Sequence, residues 1–131
     1  MDILKKLRDV KLRPTKQRIL LANLILDGKN KHFTAETIQK EVLIKGHNIS
    51  LATIYNTVHA FLGKGYLKQI AVNSEQSYYD TNTSDHHHFY DEDKNQLIDI
   101  HDSEVEPVKI NKKIPGKRIK SIEVLVKVQN N

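Results

Sequence analysis

Histidine and aspartate residues between positions 80 and 99 are the side chains with the clearest chemical potential. Asp80 is followed after five residues by His86-His87-His88, and Asp99 lies eleven residues beyond that triplet. Imidazole is the commonest protein ligand for divalent metals, and carboxylate is a suitable second donor. If the triplet lies in a strand, His86 and His88 share one face and His87 points to the other. The pattern predicts a metal site without sulfur; the alternative is a solvated, histidine-rich loop.

Charge is distributed unevenly along the 131 residues, which carry a formal net charge of +5. Residues 1–82 contain 13 Lys/Arg and 7 Asp/Glu, whereas residues 83–131 contain 8 and 9. A basic first part beside a nearly neutral second part predicts a polyanion-binding domain joined to a ligand-binding domain. The absence of cysteine excludes disulfides, thiolate zinc sites and thiol catalysis.

The sequence gives no sign of a membrane protein. No apolar run approaches the roughly 20 residues that span a bilayer, and the first residues do not resemble a signal peptide. We therefore expect a soluble, cytoplasmic protein with no membrane partner.

Residues 1–82 carry the start and stop signals of successive helices. Thr15, Thr34 and Ser50 are candidate N-caps, and Gly28 and Gly46 end the first two of the helices that they begin. Two short strands, 66–72 and 76–80, follow the third capped helix. Helices followed by a hairpin are the element order of a winged helix-turn-helix, which makes residues 1–82 the predicted DNA-binding domain.

The third capped helix has the two faces of a recognition helix. Its apolar residues share one arc and are predicted to be buried: Leu51, Ile54, Val58, Phe61 and Leu62. Small side chains near its start allow close approach to DNA, Asn56 can read adenine, and Tyr55 can contact a thymine methyl or a phosphate. The alternative is a solvated basic face on an ordinary helical domain. The predicted contacts to double-stranded DNA are Arg13, Thr15, Lys16, Arg18, Ser50, Ala52, Thr53, Tyr55 and Asn56.

Residues 83–131 are predicted to be rich in strands. Segments 86–90 and 96–100 flank a polar turn in which Asn95 can take a left-handed conformation, and 122–128 is a further strand. Ser103 to about Lys113 is predicted as a short helix weakened by Pro107. Three strands and one helix bury little, so we expect this domain to pair across a two-fold axis as a homodimer. The fold class is α+β.

Three segments resemble the ferric uptake regulator family in order and spacing: 12–18 (LRPTKQR), 50–57 (SLATIYNT) and the histidine triplet. The resemblance implies a dimeric, metal-responsive transcription factor with an N-terminal winged helix and a C-terminal α/β dimerisation domain, acting on promoter DNA. It also implies iron or manganese, with zinc as a further candidate, as the regulatory ion. The implied ligands are His32, Asp80, His86, His88 and Asp99.

Two departures from the family pattern are informative. Many members hold a structural zinc with two C-x-x-C pairs, but Asp91 and Lys94 stand at the first pair and the second has no counterpart. The triplet followed by Phe89-Tyr90 is similar to the iron response regulator branch, which implies haem as an alternative ligand contacting His86, His87 and His88. Direct sensing of a divalent metal stays open.

A second metal site is a weaker prediction. His87 points away from its two neighbours and is predicted to share its face with Glu106 and Glu123. The family's secondary site matches these positions only in part, so the alternative is an ordinary surface histidine.

Two other function classes fit less well. A metal-assisted hydrolase needs an open coordination position and a nearby general base, whereas five donors would close the site and no H-E-x-x-H motif is present. We therefore do not expect an enzyme. A haem-binding protein without a DNA role would leave the basic first domain unexplained.

Overall fold

The structure, a computed structural model that describes residues 2–131, divides the chain into two compact units, Met1–Thr83 and Ser84–Asn131. Across the described residues the first unit holds four α-helices and a three-stranded sheet, and the second holds another three-stranded sheet. This arrangement confirms the predicted α+β class. None of these helices is long and apolar enough to cross a membrane.

The helices of the first unit begin at capping side chains. Thr15 Oγ1 accepts the Arg18 N–H, Thr34 Oγ1 accepts the Thr37 N–H, and Ser50 Oγ accepts the Thr53 N–H. These bonds satisfy amide groups that the first turn of a helix leaves without partners, so the three predicted caps are confirmed. The helices are α1 (Ile3–Asp9), α2 (Lys16–Ile25), α3 (Ala35–Ile44) and α4 (Leu51–Lys64).

A small antiparallel sheet completes the first unit. Its strands are β1 (His32–Phe33), β2 (Lys68–Ala71) and β3 (Ser77–Asp80), in the order β1-β3-β2. The two predicted strands are found as the hairpin β2–β3. Strand β1 was not predicted, because two residues are too short to show alternation.

An apolar core holds α4 against the rest of the first unit. Ile54, Val58 and Phe61 on one face of α4 are fully buried, together with Leu21 of α2 and Val42 of α3. Residues at helical spacing thus form a single buried stripe, as the sequence predicted. The opposite face of α4 is left at the surface.

The second unit is built on three strands. They are β4 (His87–Asp91), β5 (Gln96–Ile100) and β6 (Leu125–Val128), in the order β5-β4-β6. Strand β5 is antiparallel to β4, whereas β6 is parallel to it. Asn95 in the β4–β5 turn has φ 49°, which confirms its predicted left-handed conformation.

The predicted helix from Ser103 to about Lys113 is wrong. One turn of 3-10 helix spans Asp102–Glu104, and residues 105–124 form no helix or strand. Pro107 lacks an amide donor and pushes the residue before it towards extended geometry.

Candidate metal-binding and DNA-binding sites

Three donor side chains converge within the second unit. His88 of β4 lies directly opposite Asp99 of β5 in the antiparallel register, and His86 precedes β4 by one residue. The Nε2 atoms of His86 and His88 lie 3.4 and 3.2 Å from Asp99 Oδ1. The two imidazole rings have their centroids 4.2 Å apart. The predicted placement of His86 and His88 on one face therefore brings both to the same carboxylate oxygen.

The hydrogen bonding of His86 fits this group to a cation. Its Nδ1 lies 2.8 Å from the carbonyl oxygen of Ser84, so Nδ1 must carry the proton that it donates there. In a neutral imidazole the lone pair is then on Nε2, the atom that faces Asp99. A lone pair and a carboxylate oxygen repel unless a metal ion or a proton lies between them. The donor chemistry therefore suits a divalent metal.

Burial favours the same interpretation. His86 is 9 % and His88 is 5 % exposed, whereas the Asp99 side chain is 53 % exposed. Buried imidazoles backed by a partly hydrated carboxylate give a site that solvent reaches from one side.

His87 points to the other face of β4 and is already engaged. Its Nδ1 accepts the N–H of Val124 at 2.8 Å, which places the ring proton on Nε2. A metal at Nε2 would need the lone pair at that atom instead. Glu106 lies in the irregular segment and Glu123 lies just before β6, and nowhere in residues 2–131 does a three-donor group form around His87. The second metal site and the haem contacts stay predictions.

The first unit contributes two further donor positions. His32 of β1 and Asp80 at the end of β3 are register partners on neighbouring strands, so their side chains leave the same face of the sheet. The His32 ring meets Tyr78 edge-on at 6.3 Å, and Asp80 Oδ1 accepts the N–H of Asn82 at 2.8 Å. Strand pairing, rather than sequence proximity, thus places His32 beside Asp80.

The predicted DNA surface is formed by α4 and the turn before it. Ala52 and Asn56 are exposed on α4, and Ser50 begins the helix. Gln39 donates from Nε2 to the Ile49 carbonyl at 3.1 Å, and Gln17 reaches the Asn48 carbonyl at 3.5 Å. The turn is therefore fixed from α3 and α2 together.

Basic residues of the 13–18 segment surround the start of α2. Arg13 and Lys16 are exposed, whereas Arg18 donates from Nη1 to the carbonyl of Arg13 at 3.0 Å. Together with the Thr15 cap, this bond gives Arg18 a structural role in holding the turn. Its remaining guanidinium donors can still reach a phosphate.

Tyr55 of α4 is tied to α3. Its hydroxyl donates to Glu36 Oε1 at 3.3 Å, and its ring lies 5.9 Å from that of His59. Burial, followed by the charge and hydrogen bond of Glu36, raises the pKa of Tyr55. Burial also raises the pKa of Tyr79, with smaller contributions from Tyr55 and Glu36.

A match along most of the chain decides which protein family it belongs to. The model of the ferric uptake regulator family matches residues 9–129. This chain belongs to the ferric uptake regulator family. It is 31 % identical over 100 residues to the peroxide operon regulator of Bacillus subtilis (strain 168), covering 76 % of this chain and 68 % of that protein.

Solved structures of family members share the fold. The ferric uptake regulator of Pseudomonas aeruginosa with manganese has a TM-score of 0.70 at 22 % identity, covering 99 % of this chain and 98 % of that one. The Vibrio cholerae ferric uptake regulator has a TM-score of 0.76 at 18 % identity, covering 98 % and 100 %.

Members of the ferric uptake regulator family are metal-responsive transcription regulators that bind DNA as dimers, not enzymes. The family resemblance inferred from the three segments is thus confirmed. Membership of the iron response regulator branch stays a prediction.

Sequence reasoning missed three side chains that position the predicted DNA surface. Gln17, Gln39 and Glu36 are polar residues on amphipathic helices, where such residues are usually solvated. Each acts on a group 10 to 31 residues away, so no local pattern marked them.

Proposed function

We propose that this chain is a repressor whose affinity for promoter DNA depends on a divalent metal. The ligands would be His32 and Asp80 of the first unit with His86, His88 and Asp99 of the second. The observation that carries the proposal is the convergence of two imidazole Nε2 atoms on Asp99 Oδ1. The register pairing of His32 with Asp80 and the metal-responsive character of the family support it.

The ligand chemistry favours iron(II) or manganese(II). Three imidazoles and two carboxylates form a nitrogen/oxygen set of five donors, whereas zinc prefers four donors in a tetrahedron. A bound ion would supply positive charge that holds donors from both units together. The ion can change the free energy of DNA binding only by the difference between its own binding free energies to the DNA-competent state and to the other state of the protein. A 100-fold preference corresponds to about 2.8 kcal/mol.

Helix α4 would enter the major groove of the promoter. Asn56 can donate to and accept from adenine, and the Tyr55 ring can meet a thymine methyl group. Arg13, Lys16 and Arg18 would bind phosphates. The two exposed apolar residues of the β4–β5 hairpin, Phe89 and Ile98, support pairing of the second unit with another copy.

We favour an ion over haem as the regulatory ligand. The side chains of His86 and His88 turn towards a carboxylate, and His87 is engaged with Val124. Titration with haem tests this preference. A sharp, shifted Soret band that saturates at a fixed haem-to-protein ratio in the unaltered protein, and is lost in His88→Ala, would favour haem. A spectrum that stays that of free haem would favour the ion.

Response to peroxide is a second candidate function. Similarity to the peroxide operon regulator favours it. Because the chain has no cysteine, a peroxide response must depend on the bound metal rather than on thiols. Hydrogen peroxide should then weaken DNA binding by the iron-loaded protein and leave the manganese-loaded protein unchanged. Equal sensitivity of both forms would exclude this function.

Salt dependence of DNA binding tests the proposal as a whole. Arg13, Lys16 and Arg18 from each subunit of a dimer predict a slope of log K against log salt of roughly −5, at about −0.9 per phosphate contact. The measurement uses manganese-loaded protein and a duplex selected by it from a random pool. A slope near zero, or no binding at low salt, would overturn the proposal.

A further inference from the structure

Glu36 holds a negative charge next to the predicted DNA-reading face. It lies in the first turn of α3, where it is the only acidic residue, and Thr34 and Thr37 form a capping box around that turn. The amide groups at a helix N-terminus stabilise an ionised carboxylate. Glu36 therefore acts as a hydrogen-bond acceptor only.

The proton of the Tyr55 hydroxyl is committed to this carboxylate. The hydroxyl oxygen lies 3.3 Å from Glu36 Oε1, and an ionised carboxylate has no proton to give in return. The only groups that the Tyr55 hydroxyl can offer to a third partner are therefore its acceptor lone pairs.

This commitment restricts what Tyr55 can bind on DNA. Phosphate oxygens only accept hydrogen bonds and are repelled by the Glu36 charge, so they suit neither group. The amino groups of adenine and cytosine donate, and the thymine methyl group packs on an aromatic ring. The Glu36–Tyr55 pair is thus compatible with base edges and incompatible with phosphate.

We infer that Glu36 is a specificity-determining residue, which positions Tyr55 to read base edges and prevents it from binding phosphate non-specifically. The inference rests on the proposed DNA-binding function. It gives a residue of α3 a part in base recognition, which the sequence had assigned to residues of α4. A neighbouring ring supports a fixed position for Tyr55. The ring of His59 lies 5.9 Å from that of Tyr55 on the same helix.

The first test compares Glu36→Gln with Glu41→Gln, which removes one charge from an exposed position of the same helix. Each manganese-loaded variant is measured on the selected duplex and on a random duplex of equal length. A glutamine amide can donate to the Tyr55 oxygen, which leaves the Tyr55 hydroxyl proton available for a phosphate. Glu36→Gln should therefore lower the specificity ratio, the affinity for the selected duplex divided by that for the random duplex, roughly tenfold. Glu41→Gln should leave the ratio unchanged.

The second test is a double-mutant cycle with Tyr55→Phe, which deletes the hydroxyl and keeps the ring. Glu36→Gln should change the specificity ratio little in the Tyr55→Phe background. An equal change in both backgrounds, or an unchanged ratio in Glu36→Gln alone, would overturn the role of Glu36. Failure of the unaltered protein to bind DNA would instead overturn the proposed function.

A spectroscopic signature separates positioning from loss of structure. Burial is the largest cause of the raised pKa of Tyr55, and the charge and hydrogen bond of Glu36 raise it further, so Glu36→Gln should lower the pH at which Tyr55 ionises. NMR of ring-labelled tyrosine, assigned with Tyr55→Phe, measures this directly. An unchanged Tyr55 titration in a folded Glu36→Gln protein would show that the pair does not form in solution.

Discussion

The two units contain cores of very different kinds. Within residues 2–131, the first unit buries apolar side chains from all four helices and its sheet. The second buries only Tyr90, Leu97 and Ile100 with the candidate ligands His86 and His88. Hydrophobic burial is the dominant favourable term in folding, so the first unit has a source of stability that the second largely lacks.

Because of this difference, we expect a bound ion to matter differently for the stability of the two units. The first unit is organised by helix caps and by its apolar core, so a bound ion is not needed to hold it together. The second places two of its few buried side chains at a candidate metal site, so binding energy of an ion is also folding energy there. We therefore expect metal to stabilise the second unit far more than the first.

The largest expected effect is on the core of the first unit. Phe61→Ala removes a fully buried ring that packs in the centre of the helical core and should lower the free energy of unfolding by about 3–5 kcal/mol. Urea unfolding followed by circular dichroism measures it. Ile44→Ala, at a side chain 87 % exposed, is the control and should change stability by less than about 0.5 kcal/mol. A similar loss in both variants would show that the described core does not carry the stability.

The next largest effect is on metal binding by the second unit. His88→Ala removes one of the converging imidazoles and should weaken manganese binding by about two orders of magnitude, or roughly 2.8 kcal/mol. Competition with a fluorescent chelator measures the affinity. His101→Ala, at an exposed histidine outside the donor group, should bind manganese normally. Unchanged affinity in His88→Ala would remove this histidine from the site.

Loss of a helix cap gives a smaller effect. Ser50→Ala removes the side chain that accepts the Thr53 N–H, so the start of α4 should lose about 1 kcal/mol of stability. DNA affinity should fall as well, because Ser50 stands where α4 begins. The exposed turn residue Ser74 provides a matched control, and Ser74→Ala should behave as the unaltered protein. Equal thermal stability of the two variants would contradict the capping role.

The smallest effect concerns an exposed ion pair. Hydrogen bonds from Lys31 and from the Lys29 N–H lower the pKa of Asp27. A depressed pKa means that the stability contribution is present above the ordinary pKa of aspartate and is lost as pH falls through the folded-state value. Asp27→Asn should therefore be slightly less stable than the unaltered protein at pH 7 and equally stable in strong acid. A difference that persists in strong acid would exclude this ion pair as the cause.

Local signals predicted the first unit well. The caps at Thr15, Thr34 and Ser50 act on amides three residues away, and the apolar stripe of α4 repeats within one helix. Asn95 likewise takes the left-handed conformation that its position in a turn favours. Such features depend on neighbours in sequence, so the sequence contains what is needed to find them.

Features that depend on distant residues were not predicted. Strand β1 exists because Phe33 and Tyr79 pair across the sheet, and Glu36 meets Tyr55 only because α3 packs near α4. The expected helix after Ser103 failed for a local reason, since the restriction that Pro107 imposes on the backbone outweighed the apolar residues around it. At the candidate metal site, the sequence predicted that His86 and His88 share a face. The tautomer of His87 could be assigned only from the structure, because it depends on the hydrogen bond from Val124.

One measurement tests the central claim most directly: the affinity of the unaltered protein for its selected duplex at fixed salt, after chelation and after loading with manganese(II). The account predicts at least a tenfold gain on loading, and no gain in His88→Ala. Equal affinity of the chelated and loaded protein, with manganese shown to be bound, would contradict it.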